Sequence, residues 1–144
     1  PLLPVAEQQH GPARAEQRDT VLVQARQGIE VMNTLDYREV AAGIAAWQDV
    51  TTGTLRDQLA AVDDGEQQLL ADQQKISTGD VVDAAVVELE DESASVIASV
   101  EITVADADPD VEPTVKRNRF AADLTLVDGR WLIEDLTQVA VSLG

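Results

Sequence analysis

Asp128-Gly129 lies between two alternating runs, NRFAADLTLV and RWLIEDLTQV, and no other feature limits the fold of this chain as much. Asp-Gly is a dipeptide suited to the positive φ angles of a two-residue type I′ hairpin. With these two residues at the turn, Val127 pairs with Arg130, Leu126 with Trp131 and Leu124 with Ile133. Side chains alternate along a strand, so Phe120, Ala122, Leu124, Leu126, Trp131 and Ile133 share one face. Arg119, Asp123, Thr125, Arg130, Leu132 and Glu134 share the other. One face is apolar, and the upstream chain has to cover it.

The material for that cover is Ala, Val and Leu, because aromatics make up only 3% of the 144 residues. A chain of this length forms one domain without staples, and the absence of Cys removes disulfides and thiolate metal sites. A net charge of −17 argues against nucleic acid, which needs a basic stripe, and against a basic patch on an anionic membrane. No run approaches the roughly 18 apolar residues that span a bilayer. The expectation is a soluble domain, and a first residue of Pro suggests that it was cut from something longer.

Residues 1–11 read as a flexible arm or linker, and residues 12–144 as a single domain. The only His, His10, lies in the arm, where a solvated bystander is the simpler reading. Helical spacing from Pro12 to Asn33 puts Val21, Leu22, Ala25, Ile29 and Met32 on one stripe, with the first half free to project from the core. Asp36 caps a second helix whose stripe is Tyr37, Val40, Ile44 and Trp47. A third helix buries Leu55, Leu59 and Val62, then joins a further helical segment with Leu69 and Leu70 near Gly65. From Thr78 the period becomes two. Val81–Leu89 is apolar on nearly both faces, which predicts a covered or central strand. Ser95–Val104 alternates cleanly. Helices followed by four sequential antiparallel strands make an α+β fold with helices on one face of a curled sheet.

Sites of chemistry are scarce. Asp106, Asp108 and Asp110 suggest calcium, but Val111 and Arg117 stand where a calcium loop needs Gly and Glu. A solvated acidic loop is the better reading. Lys116, Arg117 and Arg119 suit a charge-protected edge strand. The most enzyme-like arrangement is Asp135 on the apolar face, opposite Ala122 and near Tyr37, which would suit proton abstraction from an apolar substrate. Tyr37, Trp47, Phe120, Trp131 and Asp135 are the candidate pocket lining. Val127, Leu132 and Leu136 are candidate anchors for a homodimer through the outer sheet face. No cofactor or metal is expected.

Asp36-Tyr37-Arg38, Thr52-Gly53, Ser77-Thr78-Gly79 and the run Val127-Asp128-Gly129-Arg130-Trp131-Leu132-Ile133 together resemble the Mce-associated membrane proteins of actinobacteria. The likeness covers roughly Thr20 to Val139. It implies a cystatin-like, nuclear-transport-factor-2-like cone, with helices laid in a strongly curved four-stranded antiparallel sheet. It also implies a single membrane helix ahead of an extracytoplasmic domain, and an accessory role supporting Mce-type lipid import complexes. Mce-complex proteins are the partners implied, with lipid as a second candidate ligand. The family carries no catalytic residues to this chain, so the expectation is a non-enzymatic domain; the alternative is a small isomerase or hydratase using Asp135 and Tyr37.

Overall fold

The computed structural model describes residues 3–139. Pro1, Leu2, residues 140–144 and the side chains before residue 13, His10 among them, lie outside that description. The order is α1 (Leu3–Met32), β1 (Leu35–Asp36), a 3-10 turn (Tyr37–Glu39), α2 (Val40–Asp49), α3 (Gly53–Ala60), α4 (Asp64–Asp72), β2 (Lys75–Leu89), β3 (Ser93–Asp106), β4 (Thr114–Val127) and β5 (Arg130–Val139). The strands pair in chain order as one antiparallel sheet of five, not four. The added strand, β1, pairs Leu35 with Ser77 and Asp36 with Ile76. Two residues are too few to show an alternation.

The closing hairpin has the predicted register at its turn: Val127 faces Arg130, Leu126 faces Trp131 and Leu124 faces Ile133. Asp128 (φ 50°) and Gly129 (φ 84°) both take the positive φ that a type I′ turn requires. The apolar face is buried as expected. Ala122, Leu124, Trp131 and Ile133 are core, and Phe120 and Leu126 pack against it.

Three bulges bend the sheet, and each reverses the side on which later residues point. In β2 the register slips between Val81 and Asp83 and between Val86 and Glu88. Val81, Ala84, Val86 and Leu89 therefore reach the core, while the extra residues Val82 and Val87 are exposed. The two-faced apolar look of this strand comes from those slips. It is not a strand covered on both sides.

In β5 the slip falls beside Asp123, so that Asp123 pairs with Asp135 and Ala122 with Leu136. Regular alternation put Asp135 opposite Ala122. With Glu134 as the extra residue, Asp135 turns outward and is exposed, and Leu136 packs against the core. Leu132 is buried as well, so neither it nor Leu136 belongs to an outer apolar patch with Val127.

Helix α1 lies along the sheet and buries Val21, Ala25 and Ile29 completely. It begins before Pro12, and from Arg14 onward its side chains hold the sheet. Arg14 pairs with Asp91 at 2.9 Å and Gln17 donates to the carbonyls of Glu90 and Asp91. Further along, Glu30 Oε2 accepts the Val81 amide (2.9 Å) and Arg26 Nη2 donates to the Val81 carbonyl (3.0 Å). Thr34 Oγ1 accepts the Gly79 amide, and Ser77 Oγ donates to the Asn33 carbonyl. The helix thereby occupies the side of β2 that β1 leaves open, one way a fold blunts a strand edge.

At the other side of the sheet the α2–α3 connection closes on β5. Ile133 N–H donates to the Val50 carbonyl and Thr52 N–H to the Ile133 carbonyl, both at 2.9 Å. Thr51, fully buried, turns its hydroxyl back to the Trp47 carbonyl at 2.9 Å. In the outer helices Leu69 is exposed rather than inward.

Candidate functional site

The five residues expected to line a pocket do not converge. Tyr37 is half-buried in the 3-10 turn, and Trp47 is half-buried on α2. The Trp47 indole N–H donates to the carbonyls of Val31 (2.8 Å), in the last turn of α1, and Thr34 (3.1 Å), just past it. Trp47 therefore seals the α1–α2 junction. Trp131 is a core side chain, and its own amide is held by Gln24 Oε1 at 2.6 Å. Phe120 packs at the margin of the core, and Asp135 is exposed and accepts from Thr137 Oγ1 at 3.2 Å. The interior of the cone is occupied by Val21, Ala25 and Ile29 against Val96, Val100, Leu124 and Ile133.

The Asp36-Tyr37-Arg38 motif closes on itself. Arg38 donates from its amide and Nε to Asp36 Oδ1 (2.9 Å each) and from Nη2 to Oδ2 (2.6 Å). This fork, first through the guanidinium and then through the amide, lowers the Asp36 pKa to about 2. The guanidinium carbon also sits 5.8 Å from the centre of the Tyr37 ring. The motif caps the turn that starts α2.

The acidic loop after β3 is a series of local turns. Asp106 accepts the Asp108 amide and Asp108 accepts the Asp110 amide. The Lys75 ammonium, together with the Asp108 amide, holds the Asp106 carboxyl below its ordinary pKa. Among the described residues no group of three His, Cys, Asp or Glu side chains is arranged to hold a metal. No described helix is long and apolar enough to cross a membrane. Arg117 and Arg119 are exposed, and Arg117 pairs across the strands with Glu101 at 3.2 Å.

An open groove of about 670 Å³ lies between α1, β1 and α2. It lies on the flank of α1 that Val21, Ala25 and Ile29 leave free. Val31, Leu35, Ala42, Gly43, Ala46 and Val50 give it apolar walls. Glu30, Asp36, Glu39, Asp49 and Arg130 stand among them. Gly43 lets the Leu35 side chain lie against α2: a Cβ there would lie 2.5 Å from Leu35 Cδ1, which would have to move. Arg130, from the start of β5, reaches the Asp49 carbonyl and carboxylate at 3.3 and 3.4 Å. None of the five expected pocket residues lines the groove. Its walls are small side chains from separate parts of the chain, and a helical pattern reads these as filler.

No family model and no curated protein sequence returns a match to this chain. Solved structures do. An IcmL-like type IV secretion system protein from Legionella pneumophila is similar over 88% of this chain and 95% of its own, at 12% identity and a TM-score of 0.69. The periplasmic domain of DotI is similar over 84% of this chain and 94% of its own, at 16% identity and a TM-score of 0.66. CagV, a VirB8 homolog of a type IV secretion system from Helicobacter pylori, matches over 86% and 99%, at 4% identity and a TM-score of 0.66. At such identities the likeness is one of fold. The chain folds as a nuclear-transport-factor-2-like cone, its helices packed on a strongly curved antiparallel sheet.

Proposed function

We propose that this chain is a non-enzymatic accessory domain of a cell-envelope protein, acting by binding partner proteins on the extracytoplasmic side of a membrane to which the native protein is anchored. The observation that carries the reading is the filled cone. Val21, Ala25 and Ile29 of α1 occupy the concave face of the sheet, where a substrate would otherwise enter. The carboxylate assigned to proton abstraction, Asp135, points away from that face. General acid–base work needs its group within hydrogen-bond reach of a bound substrate, so the isomerase or hydratase alternative lacks support. The surfaces remain as the working parts.

The similar solved structures lend the reading further support, since they include secretion-system proteins and a periplasmic domain. For the system served, the sequence motifs favour an Mce-type lipid importer. The likeness in fold favours a secretion apparatus as the second reading. Purification of the native protein from its own membrane, followed by mass spectrometry, separates the two. Mce-complex subunits are expected. Secretion-system subunits in their place would move the domain to the second system. A protein recovered alone with a small apolar molecule would overturn the accessory role.

A further inference from the structure

We propose that the groove between α1 and α2 receives an amphipathic helix from the partner protein, one that carries Lys or Arg beside an apolar stripe. This rests on the accessory reading and names the chemistry of the partner. Three observations support it.

The first is the free face of α2. Ala41, Ala42, Ala45 and Ala46 are all exposed, and no charged residue falls between Val40 and Gln48. Helices pack at about 8 Å when the side chains between them are small. Ala42 and Ala46 therefore let a third helix lie close, with Val31, Leu35 and Val50 as apolar contacts along its stripe.

The second is charge. Four carboxylates, Glu30, Asp36, Glu39 and Asp49, stand at the groove against the guanidinium of Arg130. Glu30 and Asp36 are already engaged, by the Val81 amide and by Arg38. Among the described residues Asp49 is held by Arg130 alone, at 3.4 Å, with both side chains more than half exposed. An exposed pair of this kind contributes little, because water and salt screen it, so an incoming cation displaces it at little cost. Asp49 and Glu39 are thus the carboxylates open to a partner's Lys or Arg. The net charge of −17 also draws a cationic segment towards the domain.

The third is what this groove repels. A phospholipid phosphate or a fatty-acid carboxylate would meet the same carboxylates. The rim therefore selects a basic protein segment over an anionic lipid.

The probe is a peptide of Leu and Lys, roughly 18 residues long so that it can hold a helix, with Leu at i, i+3, i+4 and i+7. It is titrated into the isotope-labelled domain and followed by NMR. A Leu/Glu peptide of the same pattern and vesicles of phosphatidylglycerol are titrated in parallel. The Leu/Lys peptide is expected to shift the resonances of Val31, Ala42, Gly43, Ala46 and Val50. Glu39→Lys with Asp49→Lys is expected to weaken its binding about tenfold or more, whereas the same charge change at Asp80→Lys with Glu112→Lys costs about twofold or less. Ala46→Trp, which fills the groove without a change of charge, should weaken binding as well. Shifts scattered over the acidic surface would overturn the proposal, as would equal losses from both charge pairs. So would groove shifts caused by the Leu/Glu peptide or the vesicles. Failure of the groove and failure of the accessory reading are distinguishable: if complex subunits still co-purify while the peptide ignores the groove, only the groove is lost.

Discussion

Asp123 stands directly opposite Asp135 in the last strand pair, because Glu134 is the one residue too many in β5. Like charges facing each other across antiparallel strands destabilise the pair. Each carboxylate has a hydroxyl donor, Ser95 for Asp123 and Thr137 for Asp135, but no cation is bonded to either among the described residues. Asp135→Asn should therefore stabilise the domain by about 0.2–1 kcal/mol, read as a higher midpoint in urea with an unchanged slope. It should leave partner binding intact. Destabilisation would mean that the Asp135 carboxylate carries a bond more valuable than the repulsion it suffers.

The α1 clamp on Val81 gives a stronger effect in the other direction. Glu30 accepts the Val81 amide and Arg26 donates to its carbonyl, so both backbone groups of one residue in the bulged strand depend on two side chains one helical turn apart. Glu30→Ala leaves a part-buried amide without that partner and should cost about 1–3 kcal/mol. Arg26→Ala should cost less, since a single carbonyl bond from an exposed residue is lost. The double variant should lose less than the sum of the two single losses, because both side chains hold the same contact. Chemical denaturation of the four proteins in a double-mutant cycle reads this, and strict additivity would contradict it.

At Gly79 the sheet meets the end of α1 closely. A Cβ at this position would lie 2.6 Å from Asn33 Cβ and 3.2 Å from the Glu30 carbonyl oxygen. Neither neighbour is the free end of a flexible chain. Gly79→Ala should destabilise by about 1–3 kcal/mol and should shift the Glu30, Asn33 and Val81 resonances together. A neutral substitution would mean that α1 can lift from the sheet at no cost.

The Asp36–Arg38 fork makes an acid-dependent contribution. The folded-state pKa of Asp36 lies at about 2, below the ordinary carboxylate value of 3.8. A depressed pKa means that the folded state favours the charged form, so the stabilisation is fully present above about pH 4 and is lost as pH falls towards 2. The difference in melting temperature between the parent and Asp36→Asn should hold steady from neutrality down to about pH 4, then shrink towards zero near pH 2. A difference that stays constant across this range would show that the fork does not depend on the carboxylate charge.

The legible and illegible parts of this fold differ in physical kind. Asp128-Gly129 announced the hairpin because few dipeptides tolerate two positive φ angles, and the pairing around it followed. The Val21, Ala25 and Ile29 stripe was visible for the same kind of reason, a period repeated over several turns. Bulges leave no such mark. Val82, Val87 and Glu134 are ordinary strand residues, and only their pairing makes them extra. The one extra residue in β5 moved Asp135 from the apolar face to solvent. Strand β1 was hidden by its length. The groove was hidden because Glu30, Leu35, Ala46 and Arg130 meet only in three dimensions, and Ala and Gly carry little pattern of their own.

The central claim is that this domain works by holding a protein at the α1–α2 groove. Its most direct test is a diazirine photo-crosslinking residue no larger than Leu, which leaves the groove open, placed at Ala46 of the native protein in its own membrane, with Thr103 on the opposite face of the sheet as the control. The account predicts one discrete protein adduct from Ala46, lost when Glu39 and Asp49 are both changed to Lys, and none from Thr103. An adduct from Thr103 alone, or only lipid adducts at Ala46, would contradict it.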